Sequence, residues 1–156
     1  MMYAKSTFVS LALYCFALPV SSQPNTTVLP TISDVWVRAT VPGGSVTGAY
    51  MQIMSATPLK LVKIDSPAAR LIELHESKMT DGVMEMKALD GVDIPAGMRV
   101  TLKPGGMHVM MMKIATPIIV GDRVPLTLTF IGADKKSFQI EVNAVAKEKD
   151  GGAHHH

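Results

Sequence analysis

An all-β fold, built as a β-sandwich or barrel, is predicted by three features of the chain. Short runs with alternating apolar side chains recur along it, turn dipeptides punctuate them at regular spacing, and no stretch keeps a helical apolar period beyond a turn or two. The first candidate strand is Ile32 to Ala39, and Pro42-Gly43-Gly44 closes it. Ala49 to Met54 and Leu59 to Ile64 follow, and then Pro67-Ala68-Ala69-Arg70, the one segment that reads as a short helix. Leu71 to Lys78 and Val83 to Leu89 flank Asp81-Gly82, a dipeptide suited to a two-residue hairpin turn. Asp90-Gly91 and Pro95-Ala96-Gly97 then lead into Met98 to Leu102, and Pro104-Gly105-Gly106 leads into Met107 to Ile114. Gly121-Asp122 precedes Val124 to Phe130, and Phe138 to Val145 ends the series.

The ends of the chain read differently. Lys5 followed by the apolar run Phe8 to Val20 and the small residues Val20-Ser21-Ser22 has the layout of a cleavable secretory signal over residues 1–22. The run is too short to span a bilayer, which needs roughly 20 apolar residues. A retained N-terminal anchor is the alternative. Cys15 follows Leu13-Tyr14, a poor lipobox, and is read as part of the discarded segment. Residues 23–31 are polar and proline-bearing and read as a flexible leader, 32–146 as the folded domain, and 147–156 as a polar tail ending in three histidines. Beyond residue 22 there is no cysteine, so stability has to come from a core rather than from disulfides. Fourteen basic and thirteen acidic residues lie beyond Ser22, scattered rather than clustered, which argues against nucleic-acid binding. The mature protein is expected to be soluble, monomeric and exported to the periplasm.

The spacing His75-x10-Met86-x21-His108-x-Met110 is the clearest chemical signal. It joins both histidines outside the last three residues to two thioethers, a donor set suited to a soft, closed-shell ion such as Cu(I). If Asp81-Gly82 is the turn, Thr80 faces Val83, and the charge pairs Glu76/Lys87 and Lys78/Glu85 fall opposite one another. His75, Ser77, Met79, Met84 and Met86 then share the other side of the ribbon, with His75 and Met86 as diagonal neighbours. A one-residue slip would put those two on opposite faces. His108, Met110 and Met112 share a face of their strand, with Val109 and Met111 turned to the core. The site is expected at the rim of the sheet, with one imidazole and one thioether from the hairpin and one of each from the later strand.

Methionine is also a core filler, and Met51, Met54, Met98 and Met111 are read as packing. Met79, Met84 and Met107 are ambiguous between auxiliary donors and apolar surface; Met112 and the terminal His154, His155 and His156 are further auxiliary candidates. Trp36 is assigned to the core. A blue-copper electron carrier needs a cysteine thiolate beside its histidines, which the mature chain lacks. A zinc hydrolase would have to recruit Glu73 or Glu76 to the two histidines and would leave the matched thioethers unexplained. A metal-free binding or adhesion module is the third class.

Glu73-Leu74-His75-Glu76, Asp81-Gly82-Val83-Met84-Glu85-Met86, Ile94-Pro95-Ala96-Gly97, Leu102-Lys103-Pro104-Gly105-Gly106, His108-Val109-Met110 and Gly121-Asp122-Arg123-Val124-Pro125-Leu126 together resemble the periplasmic CuA chaperone (PCuAC) family. Ala39-Thr40 and Gly48-Ala49-Tyr50-Met51 extend the likeness upstream. The resemblance implies a cupredoxin-like Greek-key β-sandwich of eight to nine short strands with a protruding hairpin. It implies one Cu(I) held by His75, Met86, His108 and Met110, and no enzymatic activity. It further implies delivery to the CuA-bearing subunit of cytochrome c oxidase, alongside a Sco-type thiol chaperone. If the histidine tail is native, Cu(II) capture there is an added expectation.

Overall fold

A computed structural model describes residues 29–148. The ten strands it contains are β1 (Thr31–Arg38), β2 (Val46–Met54), β3 (Leu59–Asp65), β4 (Ala69–Thr80), β5 (Val83–Leu89), β6 (Val92–Ile94), β7 (Arg99–Leu102), β8 (Met107–Ile114), β9 (Arg123–Gly132) and β10 (Ser137–Lys147). The strands hydrogen-bond in the order β5-β4-β8-β2-β1-β10-β9-β3-β6, and β7 pairs with β2 off that path. Among the described residues the paired strands run antiparallel except β1 with β10, which run parallel. The expected two layers are therefore one continuous sheet, joined where β1 takes β2 on one edge and β10 on the other.

Alternation builds the core. Val37, Ala49, Met51, Ile53, Leu74, Val109 and Met111 point inward from β1, β2, β4 and β8. They meet Leu61, Ile64, Leu126, Leu128, Phe130 and Ala144 from β3, β9 and β10. With period-2 strands, filling this face automatically turns residues such as His108, Met110, Tyr50 and His75 to the other side.

The Asp81-Gly82 turn has the expected form. Both residues have positive φ, 49° and 80°, as a type I′ turn requires. The ladder runs from Thr80↔Val83 through Lys78↔Glu85, Ser77↔Met86 and Glu76↔Lys87 to Leu74↔Leu89, which is the register needed to put His75 and Met86 on one face. The facing charges do not close into ion pairs; Lys78 Nζ lies 4.0 Å from Glu76 on its own strand instead. Exposed pairs of this kind contribute little, so turn chemistry carries the register.

Four expectations need correction. Pro67-Ala68-Ala69-Arg70 is a turn running straight into β4, not a helix. The three-residue strand β6 is additional, too short to show a pattern of its own. Trp36 is half-buried on the outer face because β1 carries a bulge between Ser33 and Trp36, with Asp34 at φ 49°. Ile32 and Val37 both face the core across that extra residue, so the alternation that would have turned Trp36 inward is reversed. Met51 and Met111 are buried as expected, but Met54 and Met98 are exposed, the first on the outer parity of β2 and the second in the turn before β7. The expected signal segment, most of the expected leader and the histidine tail lie outside the described residues. Among the described residues, no helix is long and apolar enough to cross a membrane.

Candidate metal centre

Three adjacent strands bring the four sequence-predicted ligands onto one face. β4 pairs with β8 so that His75 sits directly opposite His108 and Glu73 opposite Met110. On the other edge of β4, Met86 of β5 pairs with Ser77. The two imidazole rings stand 6.0 Å apart between centroids, edge-on at 81°. Direct pairing of β4 with β8 is the long-range contact that sequence reasoning did not supply. It turns two separate His–Met pairs into a single constellation.

The turn before β8 orients His108. Lys103-Pro104-Gly105-Gly106 has proline second and Gly105 at φ 76°, with the Gly106 N–H donating to the Lys103 carbonyl at 3.1 Å, a type II turn. The Gly106 carbonyl accepts from His108 Nδ1 at 2.9 Å and from the Ser77 N–H at 3.0 Å. A carbonyl can only accept, so Nδ1 carries the proton and Nε2 keeps a free lone pair. His75 is held the other way round. Its Nε2 lies 2.9 Å from Glu73 Oε2, and its Nδ1 is buried without a hydrogen-bond partner.

A cleft of about 440 Å³ opens over this face. His108 and Met110 line its floor, Met84 and Met86 the hairpin side, and Arg38, Gly48 and Tyr50 the opposite wall. His75 does not line the cleft but stands at its edge, its side chain 14% exposed. Tyr50 folds over Gly48, where any Cβ would collide with the phenol, and packs tilted against Trp36 with ring centroids 4.3 Å apart. Burial pushes the Tyr50 phenol above its ordinary value against the opposing pull of Arg38, so it stays neutral and adds no anion to the cleft.

The donor set fits a soft cation. Two imidazole nitrogens have free lone pairs, one of them buried and unpartnered, and three thioethers line the cleft with His108. No carboxylate lines the cleft, and among the described residues no three His, Cys, Asp or Glu side chains group closely enough to hold an ion. A hard divalent ion would want several oxygens. Thioethers with imidazoles suit Cu(I).

The auxiliary candidates separate cleanly. Met84 lines the cleft beside Met86. Met79 sits exposed near the hairpin tip, and Met112 shares the face of His108 but lies outside the cleft. Met107 packs against the core. His154, His155 and His156 lie outside the described residues. Sequence reasoning missed Tyr50, Gly48 and Arg38 as wall residues; the β1 bulge conceals the outward parity of Arg38, while Gly48 and Tyr50 show theirs only as the positions alternating with Ala49, Met51 and Ile53 on β2.

Known proteins share this fold. The fold is similar to a copper-bound PCuAC domain from PmoF2, at 25% identity over 76% of this chain and 92% of that chain, with a TM-score of 0.62. It is similar as well to the solution structure of the apo form of DR1885 from Deinococcus radiodurans, at 26% identity over 92% of this chain and 97% of that one, TM-score 0.57. The Cu(I) form of DR1885 is 28% identical over 84% and 87%, TM-score 0.56. The anticipated PCuAC-type fold is the fold of this chain. A protein from Leifsonia xyli subsp. xyli, described as "Putative lipoprotein Lxx21020", is 35% identical over 103 residues, 64% of this chain. The match spans 60% of that relative's length. A family model described as "Putative lipoprotein LpqE-like" matches residues 30–142, from the start of β1 into β10, and the chain belongs to this LpqE-like family.

Proposed function

We propose that this protein is an exported copper carrier that binds one Cu(I) through His75, Met86, His108 and Met110 and passes it to the CuA centre of cytochrome c oxidase. One observation supports the reading above the others. Two imidazoles face each other across β4 and β8, each with one nitrogen held by an acceptor and the other free, beside a cleft whose remaining soft donors are thioethers. The PmoF2 domain and DR1885, similar in fold, are described as copper-bound and Cu(I)-bound. Copper is cargo here, not a resident cofactor, and the chain transforms no substrate.

Release follows from where the donors sit. Met86 is 51% exposed on β5, the last strand of the sheet, so an incoming ligand displaces it first. From sequence, His75 would leave with it as part of the same hairpin. Yet β4 is hydrogen-bonded on both edges, so His75 stays with His108 and Met110 until the acceptor completes its own coordination. A Sco-type thiol chaperone is a further proposed partner, and His154, His155 and His156 would be auxiliary Cu(II) donors.

The proposed location is outside the cytoplasm, in the periplasm after signal cleavage. The family's lipoprotein description makes retention through Cys15 the competing outcome, and the mass of the mature N-terminus separates the two.

Transfer tests the carrier reading. Cu(I)-loaded protein mixed anaerobically with an apo CuA domain should lose its copper as the purple mixed-valence absorption of the acceptor appears, once electrons are balanced with added oxidant. Copper that stays on the donor under every redox condition rules out the carrier role.

A further inference from the structure

We propose that Glu73 is a positioning residue that makes Nδ1, rather than Nε2, the copper-binding atom of His75; the inference rests on the Cu(I) reading above. The carboxylate Oε2 lies 2.9 Å from His75 Nε2. A carboxylate accepts, so the proton sits on Nε2, and a neutral ring then has its one lone pair on Nδ1. That atom is buried and without a partner, whereas Glu73 is 44% exposed and free to keep its own hydration.

The two histidines are thereby oriented in opposite senses by unlike acceptors. Gly106 offers a neutral carbonyl to His108 Nδ1, and Glu73 offers an anion to His75 Nε2. An ionised acceptor makes the stronger bond and raises the donor strength of the ring behind it. It also supplies a negative charge close to the bound cation, in a cleft whose single charged lining residue is Arg38. Register builds the arrangement. Glu73 and His75 are two apart on β4, hence on one face, and Met110 lies directly across from Glu73. The carboxylate is thus beside the donors without joining them, which agrees with the absence of a three-residue His, Cys, Asp or Glu group among the described residues. This assigns Glu73 a role other than the zinc-ligand role open to it from sequence.

Nitrogen-15 NMR of His75 and His108 tests the assignment, because Cu(I) is closed-shell and leaves the signals sharp. In the metal-free protein the His75 Nε2–H proton should be shifted downfield and slow to exchange, and Glu73→Ala should abolish that signal while His108 Nδ1–H is unchanged. On adding one equivalent of Cu(I), the large shifts should fall on His75 Nδ1 and His108 Nε2. In competition with a chromophoric Cu(I) chelator, Glu73→Ala should weaken binding about 10- to 100-fold, the range typical of lost outer partners of a metal-bound histidine. Glu73→Gln should restore most of that loss, because its amide oxygen can accept the same N–H. If the wild-type protein binds Cu(I) but the shift falls on His75 Nε2, or if Glu73→Ala binds as tightly as wild type, the positioning role is wrong and the carrier reading stands. If the wild-type protein takes up no Cu(I) although the Nε2–H signal is present, the carrier reading fails and the copper role of Glu73 fails with it.

Discussion

His108→Ala is expected to abolish stoichiometric Cu(I) binding, raising Kd on the order of a thousandfold, about 4 kcal/mol. His108 is 6% exposed and its ring is already aimed, because the Gly106 carbonyl holds Nδ1. A preoriented donor gives up little freedom when it binds, so removing it forfeits most of what it contributes. The fold should survive, since the Gly106 carbonyl still accepts from the Ser77 N–H and the β4–β8 ladder is intact. Met86→Ala makes the contrast. Met86 is half-exposed on the last strand, and Met84 lines the same cleft two residues away, so a substitute thioether is at hand. Its loss should cost about tenfold, near 1.4 kcal/mol. Anaerobic chelator competition on both variants checks the ranking; equal losses would mean that the imidazole is not preoriented in solution.

Phe130→Ala should lower stability by about 3–5 kcal/mol. Phe130 is the largest fully buried side chain, stacked on Phe138 with centroids 5.6 Å apart, on the strand that joins β3 to β10. Truncation removes a ring from the centre of a core that has no disulfide to fall back on. Against a total of roughly 5–15 kcal/mol, that is a large fraction, and the melting temperature should drop on the order of 10–20 °C. The proposed metal site lies on β4, β5 and β8, away from β9, so at low temperature the variant should still bind one Cu(I). Bound copper should then recover part of the lost melting temperature, because a ligand that binds only the folded state stabilises it by mass action. Thermal denaturation with and without Cu(I) checks both parts.

The local half of the site was legible in the chain. Asp81-Gly82 admits two consecutive positive φ angles, and that alone determined the β4–β5 register and the shared face of His75 and Met86. His108 and Met110 needed only the two-residue period of a strand. The non-local half was not legible. Nothing within β4 or β8 announces that they are neighbours; the pairing comes from both filling one core face through Leu74, Val109 and Met111. The same limit hid the far wall of the cleft. One extra residue in the β1 bulge reverses parity, so Trp36 lies outside the core, tilted against Tyr50 of β2. A bulge of that kind leaves no apolar pattern to read, and neither does a strand as short as β6. Ring orientation was equally out of reach, since it depends on Gly106 and Glu73 lying at hydrogen-bond distance from particular imidazole nitrogens.

X-ray absorption at the copper edge, on protein loaded anaerobically with one equivalent of Cu(I), tests the central claim most directly. Two imidazole nitrogens together with thioether sulfurs in the coordination shell, with the edge position of Cu(I), is the result that four donors on three neighbouring strands predict. A shell of nitrogen and oxygen alone, or copper that is removed by washing, would contradict it.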